Sequence, residues 1–401
     1  MSTTLQESTL EARSQPAPQP APPRILGDVG STEAGPTLII VGGLHGNEPA
    51  GVEGLRRVFA RLEADAREPD GRLVGLAGNR AALAQGRRYI DRDLNRIWLD
   101  EHLDRVRIGE ELDSAEDYEV VELDAVFRRT LDAAHGVSFM LDIHTTSGPG
   151  PAFSVLHDTL PNRRFARAMP IPIALGLEEE LNGTLTDHFT DLGTVALSVE
   201  TGQHDDPFSI DRAEAAIWIA MDVAGMLPEC YDAQLEESRA LLVLEGSSLP
   251  EAVEIRYRHG IAEGAHFHMG PDFRSFQPID AGHVMGEEDG RAVASPMSGV
   301  LLMPLYQEQG DDGFFITTPV RSLWLDISTT LRKARVERWL GILPGVSQFA
   351  GQPGTFLVNR RVARWVARQV FHLLGYRRRD HSPTHLVMEK RPEPELDRHA
   401  S

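Results

Sequence analysis

Residues 37–49 read TLIIVGGLHGNEP and combine a strand pattern with a polar turn. The run 37–41 is rich in β-branched residues, and Gly42 and Gly43 end it. This composition predicts a short strand that is buried on both faces, as in a parallel sheet. The turn then leads into a predicted helix, since apolar residues recur at helical spacing over residues 55–62.

The same alternation of strand and helix continues along the chain. Two further apolar runs, at residues 137–143 and 195–199, predict buried strands. Helical spacing is present over residues 117–134 and from about residue 211 to 226. Strands that alternate with helices predict an α/β fold with a mixed, mostly parallel sheet flanked by helices.

The pattern changes in the second half of the chain. Residues 240–245 and 253–257 predict short strands, and the stretch 260–325 is rich in Gly and Pro without a helical period. A small all-β, barrel-like domain is therefore expected to follow the α/β domain. A last helix is predicted over residues 360–374, and the charged chain from Arg377 onward is expected to be loose.

These patterns divide the chain into four parts. Residues 1–35 are expected to form a disordered tail, because SQPAPQPAPP at 14–23 cannot pack a core. Residues 36–230 form the predicted catalytic domain and residues 236–345 the β domain. Residues 346–401 hold the predicted C-terminal helix and a charged tail.

Composition excludes several classes of protein. The 401 residues include 40 basic and 60 acidic side chains, for a net charge of −20, so we expect no nucleic-acid partner. A single cysteine, Cys230, excludes a disulfide scaffold and a zinc site built on several thiolates. No apolar run reaches 18 residues and no signal-peptide pattern is visible, so we expect no membrane partner and a cytoplasmic protein.

Four candidate ligands or bases follow predicted strands. His45 and Glu48 stand three apart in a glycine-flanked turn, from which both side chains can reach one ion. His144 ends the second strand, two residues after Asp142, and Glu200 directly follows the third. Because strand ends meet at one edge of a parallel sheet, these side chains are expected to converge. Two His and one Glu make a zinc site with an open position, and a further carboxylate can act as the base.

Simpler interpretations stay open for several of these residues. His144 alone could be an ordinary hydrogen-bonded residue at a strand end. His266 and His268 could bind a second metal ion, although a surface strand is favoured. His204 could contact the site or only pack behind it, and the turn 310–313 could line its mouth together with Tyr306.

Residues 88–96 read RYIDRDLNR and form a polar loop rich in arginine. Guanidinium groups bind carboxylates in a bidentate manner and can stabilise an oxyanion. A solvated loop laced with salt bridges is the alternative interpretation.

Four motifs occur in an order that resembles a known enzyme family. They are HGNE at 45–48, RRYIDRDLNR at 87–96, DIHTT at 142–146 and VETGQ at 199–203. Together they resemble the aspartoacylase and succinylglutamate desuccinylase family of the zinc carboxypeptidase clan, over roughly residues 37–227. The resemblance implies a carboxypeptidase-like α/β domain with a small C-terminal β domain beside the active site.

The resemblance also implies a metal and a base. One Zn²⁺ per chain would be held by His45, Glu48 and His144. Glu200 would be the general base and would later pass its proton to the leaving amine. Arg88 would polarise the scissile carbonyl and stabilise the tetrahedral oxyanion.

A second group of residues is implied to bind and support the substrate. Asn95 and Arg96 would hold a substrate carboxylate. Asp93 would support their loop, and Asp142 would orient a metal ligand. The family places a further arginine about ten residues before the base, but residues 186–191 read TDHFTD, so a site for a second carboxylate is not predicted.

The predicted function is that of a zinc-dependent amidohydrolase. It would hydrolyse the amide of a small N-acyl amino acid, or a related amide, through a metal-activated water. The alternatives are a zinc carboxypeptidase-type peptidase and a catalytically silent zinc-binding relative. The expected partner is a small molecule with a carboxylate, and a homo-oligomer stays open. Residues 293–300 resemble a biotinyl or lipoyl barrel but lack the carrier lysine, so a structural barrel is expected.

Overall fold

The structure of the chain is a computed structural model. It describes residues 20–349, apart from positions 32, 34 and 111, and then residues 354–359, 366–381 and 385–390. Residues 1–19 of the predicted tail and residues 360–365 of the predicted last helix lie outside the described residues.

The described chain alternates strands and helices in its first half and is mainly strands in its second. The strands are β1 (Ile25–Gly30), β2 (Thr37–Gly42), β3 (Arg72–Ala77), β4 (Ser138–Thr146), β5 (Phe153–Val155), β6 (Ile173–Leu175), β7 (Val195–Gln203), β8 (Ala252–Gly260), β9 (Phe267–Met269), β10 (Pro278–Ile279), β11 (Val284–Glu288), β12 (Arg291–Ala294), β13 (Gly299–Leu302), β14 (Asp312–Val320), β15 (Val346–Gln348), β16 (Thr355–Asn359), β17 (Tyr376–His381) and β18 (His385–Lys390). The helices are α1 (Ala50–Ala64), α2 (Arg80–Gln85), α3 (Asp100–Arg107), α4 (Ala115–Asp132), α5 (Leu160–Ala168), α6 (Leu185–Asp191), α7 (Phe208–Val223), α8 (Asp232–Gly246), α9 (Ser322–Lys333) and α10 (Val366–Leu373). Short 3₁₀ turns lie at Leu94–Arg96, Leu177–Glu179, Glu229–Tyr231 and Val336–Ile342.

A mixed sheet forms the centre of the molecule, with the strand order β1-β3-β2-β4-β7-β5-β6-β8-β14-β13-β10. Strands β3, β2, β4 and β7 run parallel, which confirms the predicted α/β fold around the sheet. Every residue of β2 is buried, and its side chains alternate between two layers. Leu38 and Ile40 pack with residues of α1, α5 and α7, whereas Ile39 and Val41 pack with residues of α3, α4 and α6.

The second half of the chain extends this sheet. Strand β8 pairs in parallel with β6 on one side and antiparallel with β14 on the other. A separate three-stranded sheet has the order β12-β11-β9, so the predicted barrel is not confirmed. The domain boundaries stay a prediction. No helix in the described part of the chain is both long and apolar enough to cross a membrane.

Four segments differ from the sequence expectations, and one of them is α9, a helix that lies within the predicted all-β domain. The strand predicted at residues 240–245 is wrong, because the helix-favouring Leu, Glu, Ala and Arg residues before it carry α8 through this stretch. Ile25–Gly30 does not belong to a loose tail, since it pairs antiparallel with β3 and protects that edge of the sheet.

The described residues after Arg377 are also more ordered than expected, and residues 391–401 of the predicted charged tail lie outside the described residues. Strands β17 and β18 form an antiparallel pair, and β16 continues the sheet. Phe356, Phe371, Tyr376 and Met388 are buried together beneath it, so a small separate core holds this end in place.

A buried ion cluster ties this C-terminal part to the α/β layer. The side chain of Asp158, which precedes α5, is fully buried. Its carboxylate accepts hydrogen bonds from Arg163 of α5 (2.8 Å), from Arg332 of α9 (2.8 Å) and from Arg377 of β17. Burial alone would raise the pKa of Asp158, but these three guanidinium groups hold it far below its usual value.

Replacement of Asp158 by Asn should lower the free energy of unfolding by about 3–5 kcal/mol, because three buried cations lose their counter-charge. Since the folded-state pKa of Asp158 is depressed, its contribution is complete above about pH 4 and is lost as the pH falls further. Urea unfolding at pH 7 and at lower pH measures both effects.

The control is Asp326→Asn, which breaks an exposed ion pair with Arg167. It should cost less than about 1 kcal/mol. Equal losses for the two variants would contradict a structural role for the buried cluster.

Candidate active site

The turn after β2 brings His45 and Glu48 together. Gly43 has a φ of +71°, and a Cβ on Gly46 would lie 2.0 Å from the backbone of Ala82, so glycine suits both positions. The backbone N–H of Glu48 donates to the carbonyl of His45 (3.1 Å) and closes the turn. Nδ1 of His45 consequently lies 2.8 Å from Oε1 of Glu48.

The parallel pairing of β4 and β7 supplies the other two residues. Their register places His144 directly beside Glu200 at the carboxyl ends of the strands. Nδ1 of His144 lies 3.0 Å from Oε2 of Glu48, and the backbone N–H of Thr145 donates to the same oxygen at 3.0 Å. The structure therefore brings together all four residues that were predicted from strand ends.

Each histidine has a second carboxylate on its other ring nitrogen. Nε2 of His45 lies 3.0 Å from Asp93, and Nε2 of His144 lies 2.7 Å from Asp142. Such contacts fix the ring orientation of metal-binding histidines and leave Nδ1 facing the ion. Candidate ligand atoms of His45, Glu48 and His144 all lie within 4.8 Å of one another. Among the described residues, this is the group with the composition and spacing to hold a metal ion; it does not include His266 or His268.

Burial and charge set the ionisation of this group. Burial opposes ionisation of Glu48, yet the imidazoles of His45 and His144 hold its pKa well below the usual value. Burial also opposes protonation of His144, but Asp142 and Glu48 raise its pKa well above the usual value. Burial raises the pKa of Glu200 to about 8. The centre thus concentrates negative charge that suits a cation, beside a carboxyl group that can exchange a proton near neutral pH.

The arginine-rich loop lies against this centre. The guanidinium of Arg88 donates to Oδ2 of Asp93 through Nη2 (2.9 Å) and Nε (3.2 Å). Its Nη1 lies 3.5 Å from Oε1 of Glu48. Asp93 therefore joins the loop to His45 and holds Arg88 beside the candidate metal site.

A residue that the sequence analysis missed holds this loop in place. Glu116 of α4 is completely buried. Its carboxylate accepts hydrogen bonds from the backbone N–H groups of Ile90 (2.7 Å), Asp91 (3.0 Å) and Arg92 (3.2 Å). In sequence, Glu116 is one of many acidic residues in a helix, so no local pattern distinguishes it.

Asn95 and Arg96 line the same pocket but are already partly engaged. Oδ1 of Asn95 accepts from the backbone N–H of Leu185 (2.8 Å), which joins the loop to α6. Nη2 of Arg96 donates to Asp312 (3.0 Å), which also accepts from Arg258. A substrate carboxylate at Arg96 would therefore share the guanidinium with Asp312.

The loop between β13 and β14 closes one side of the pocket. Oε1 of Gln307 accepts from Asn47 (2.7 Å) and lies 3.0 Å from Nε2 of His204. Nδ1 of His204 lies 2.7 Å from the hydroxyl of Thr145, so His204 lines the site and also fixes the loop. Gly310, Asp311 and Asp312 also line the cavity, which has a volume of about 110 Å³.

The chain is similar in sequence to a known family of proteins. Residues 34–220 match the sequence model of the succinylglutamate desuccinylase/aspartoacylase catalytic domain. The chain is 24% identical over 293 residues to the succinylglutamate desuccinylase of Pseudomonas aeruginosa (strain LESB58), which covers 69% of this chain and 82% of that protein.

Two solved structures share the fold. The succinylglutamate desuccinylase/aspartoacylase of Rhodobacter sphaeroides has a TM-score of 0.52 at 18% identity and covers 73% of this chain and 87% of its own. The ectoine utilization protein EutE (DoeB) of Ruegeria pomeroyi has a TM-score of 0.52 at 20% identity, with coverage of 71% and 86%. By the match to the family's sequence model, residues 34–220 form a domain of the succinylglutamate desuccinylase/aspartoacylase family.

Proposed function

We propose that this protein is a zinc-dependent amidohydrolase that removes the acyl group from a small N-acyl amino acid. One observation carries the proposal: a buried His-Glu-His group, an adjacent carboxyl group and an arginine line a single pocket. The Pseudomonas relative is a succinylglutamate desuccinylase, which supports the same reaction type for this chain.

The metal would be held by His45, Glu48 and His144. These residues fit zinc, because two imidazoles and one carboxylate are a usual zinc donor set and both imidazoles carry a supporting carboxylate. When bound, the ion would supply a Lewis acid that makes a water more acidic and polarises a carbonyl.

Glu200 would act as the general base. Its Oε2 is buried and has no hydrogen-bond partner among the described residues, so it is available to a water in the pocket. Glu200 takes one proton from the water as the oxygen–carbon bond forms. It then delivers this proton to the amide nitrogen as the carbon–nitrogen bond breaks, which leaves a carboxylic acid and an amine; the acid proton then passes to the amine, so the final products are a carboxylate and an ammonium group.

Arg88 would stabilise the negative charge that develops on the carbonyl oxygen. Its guanidinium lies beside Glu48 and is oriented by two hydrogen bonds to Asp93. Burial acts to lower the pKa of Arg88, but Asp93 and Glu48 raise it, so the side chain stays cationic throughout the reaction. A fixed donor of this kind needs no reorganisation when charge appears.

The other end of the substrate would be held by the loop residues. Asn95 and Arg96 bind its carboxylate, in partial competition with Asp312. The loop that carries Gln307 is attached to Asn47 and closes the pocket on one side. This closure favours a small substrate over a long peptide.

We expect the purified protein to contain about one zinc per chain and the His144→Ala variant to lose it, because three protein ligands are needed to hold the ion. Mass spectrometry of the metal content measures this. A chelator should lower the melting temperature of the wild type and leave that of the variant unchanged.

The matched control is His268→Ala, which removes an exposed histidine outside the site. This variant should keep its zinc. A wild-type protein without metal, or a His144→Ala variant that retains it, would overturn the ligand assignment.

Glu200→Gln should lower kcat for N-acetyl amino acids by about 10²–10⁴, because an amide cannot accept the proton of the water. Released amine is measured with ninhydrin. The variant should keep its zinc, and Glu263→Gln, at an exposed loop position, should retain full activity. Wild-type turnover by Glu200→Gln would contradict the role of Glu200 as base.

A further inference from the structure

We propose that the pocket selects N-acyl amino acids whose side chain carries an ammonium group, bound by His157 and Glu178. Asp187 orients His157 for this contact. The inference rests on the proposed deacylase function and names its substrate class.

His157 presents a buried hydrogen-bond acceptor to the pocket. It follows β5, lines the cavity and has a side chain that is only 2% exposed. Its Nδ1 lies 2.9 Å from Oδ1 of Asp187, and its Nε2 has no hydrogen-bond partner among the described residues. A proton on Nδ1 that bonds to Asp187 leaves the lone pair of Nε2 for a donor on the ligand.

Glu178 presents a second acceptor. It lies in the 3₁₀ turn Leu177–Glu179, lines the same cavity and has a side chain that is 2% exposed. Its Oε1 lies 2.7 Å from Nε of Arg377, but within the described part of the chain its Oε2 has no hydrogen-bond partner. Arg377 also binds Asp158 and lies 3.9 Å from Glu179, so this one guanidinium faces three carboxylates. Buried acceptors of this kind usually have a partner, and a ligand ammonium would supply one.

These acceptors line the same pocket as the residues proposed for the substrate carboxylate, and hydrogen bonds join the segments that carry the two groups. Oδ1 of Asn95 accepts from the backbone N–H of Leu185, and Asp187 follows two residues later in the first turn of α6. Arg258 bonds both to Asp312, the partner of Arg96, and to the carbonyl of Glu180, next to the turn that holds Glu178. One amino acid can therefore place its carboxylate and its side chain on the same wall of the pocket.

The charge of this wall disfavours a second carboxylate. Asp187 and Glu178 are both acidic, and residues 186–191 contain no arginine. The side chains of Thr186 and Ser198, which also line the cavity, bond to each other at 2.5 Å. An anionic substrate side chain would face two carboxylates here, whereas an ammonium group would be attracted to them.

The test compares three substrates that differ in side-chain charge: Nα-acetylornithine, N-acetylnorleucine and N-acetylglutamate. The wild type should show a kcat/KM for acetylornithine at least about tenfold higher than for the other two, because the buried acceptors are satisfied only by the ammonium. Glu178→Gln and Asp187→Asn should each lower this value by about tenfold, mainly through KM. Both should lower kcat/KM for acetylnorleucine clearly less than for acetylornithine, whereas the exposed control Glu263→Gln should leave all three substrates within about twofold.

The outcomes separate the two proposals. Preference for acetylglutamate would overturn this inference and leave the deacylase standing. If Glu178→Gln and Asp187→Asn lower kcat/KM for acetylnorleucine as much as for acetylornithine, the two residues have a structural role and the inference is overturned. If none of the three substrates is hydrolysed, the proposed function fails on these substrates. The inference is then tested separately by calorimetry, which measures the binding of ornithine and of glutamate to the wild type. Tighter binding of ornithine than of glutamate supports it, and the reverse overturns it.

Discussion

The parallel pairing of β2, β4 and β7 is the constraint from which the site follows. Glu48 and His144, which are 96 positions apart in sequence, meet because the turn after β2 and the end of β4 lie at the same edge of the sheet. Because side chains alternate along these strands, those on one face of the sheet pack against one layer of helices and those on the other face pack against the second layer. At that edge of the sheet the strands reach the pocket, which is lined by His45, His144 and Glu200.

Buried charges dominate the rest of the architecture. A chain of contacts runs from Asp93 through His45, Glu48 and His144 to Asp142, with a carboxylate alternating with an imidazole at each step. Charges removed from water are costly unless each has a partner. The same solution recurs at Asp158, where three guanidinium groups surround one carboxylate and bind the C-terminal segment to the catalytic layer. Both clusters lie where separate segments of the chain meet.

Sequence predicts most reliably what is encoded locally. The strands that end at His144 and Glu200 and the turn of His45 and Glu48 are short, continuous patterns, and the structure places them as expected. Glu116 could not be recognised, because its function is to accept backbone hydrogen bonds from a loop that is distant in sequence. The helical state of residues 240–245 was missed for a related reason. A short apolar run is compatible with both a strand and a helix, and here the residues before it already form α8, which continues through the run.

Under the proposed function, a substrate carboxylate would have to compete with Asp312 for the guanidinium of Arg96. The guanidinium is already partly withdrawn from water and oriented by a carboxylate of the neighbouring β segment. A substrate carboxylate that binds Arg96 would replace Asp312 as its anionic partner. The guanidinium would then lose little hydration and gain little new electrostatic attraction. The product amino acid would be held weakly, because Asp312 can re-form its ion pair with Arg96. Because Arg96 has an anionic partner both with and without substrate, the site would favour rapid release of product over tight binding.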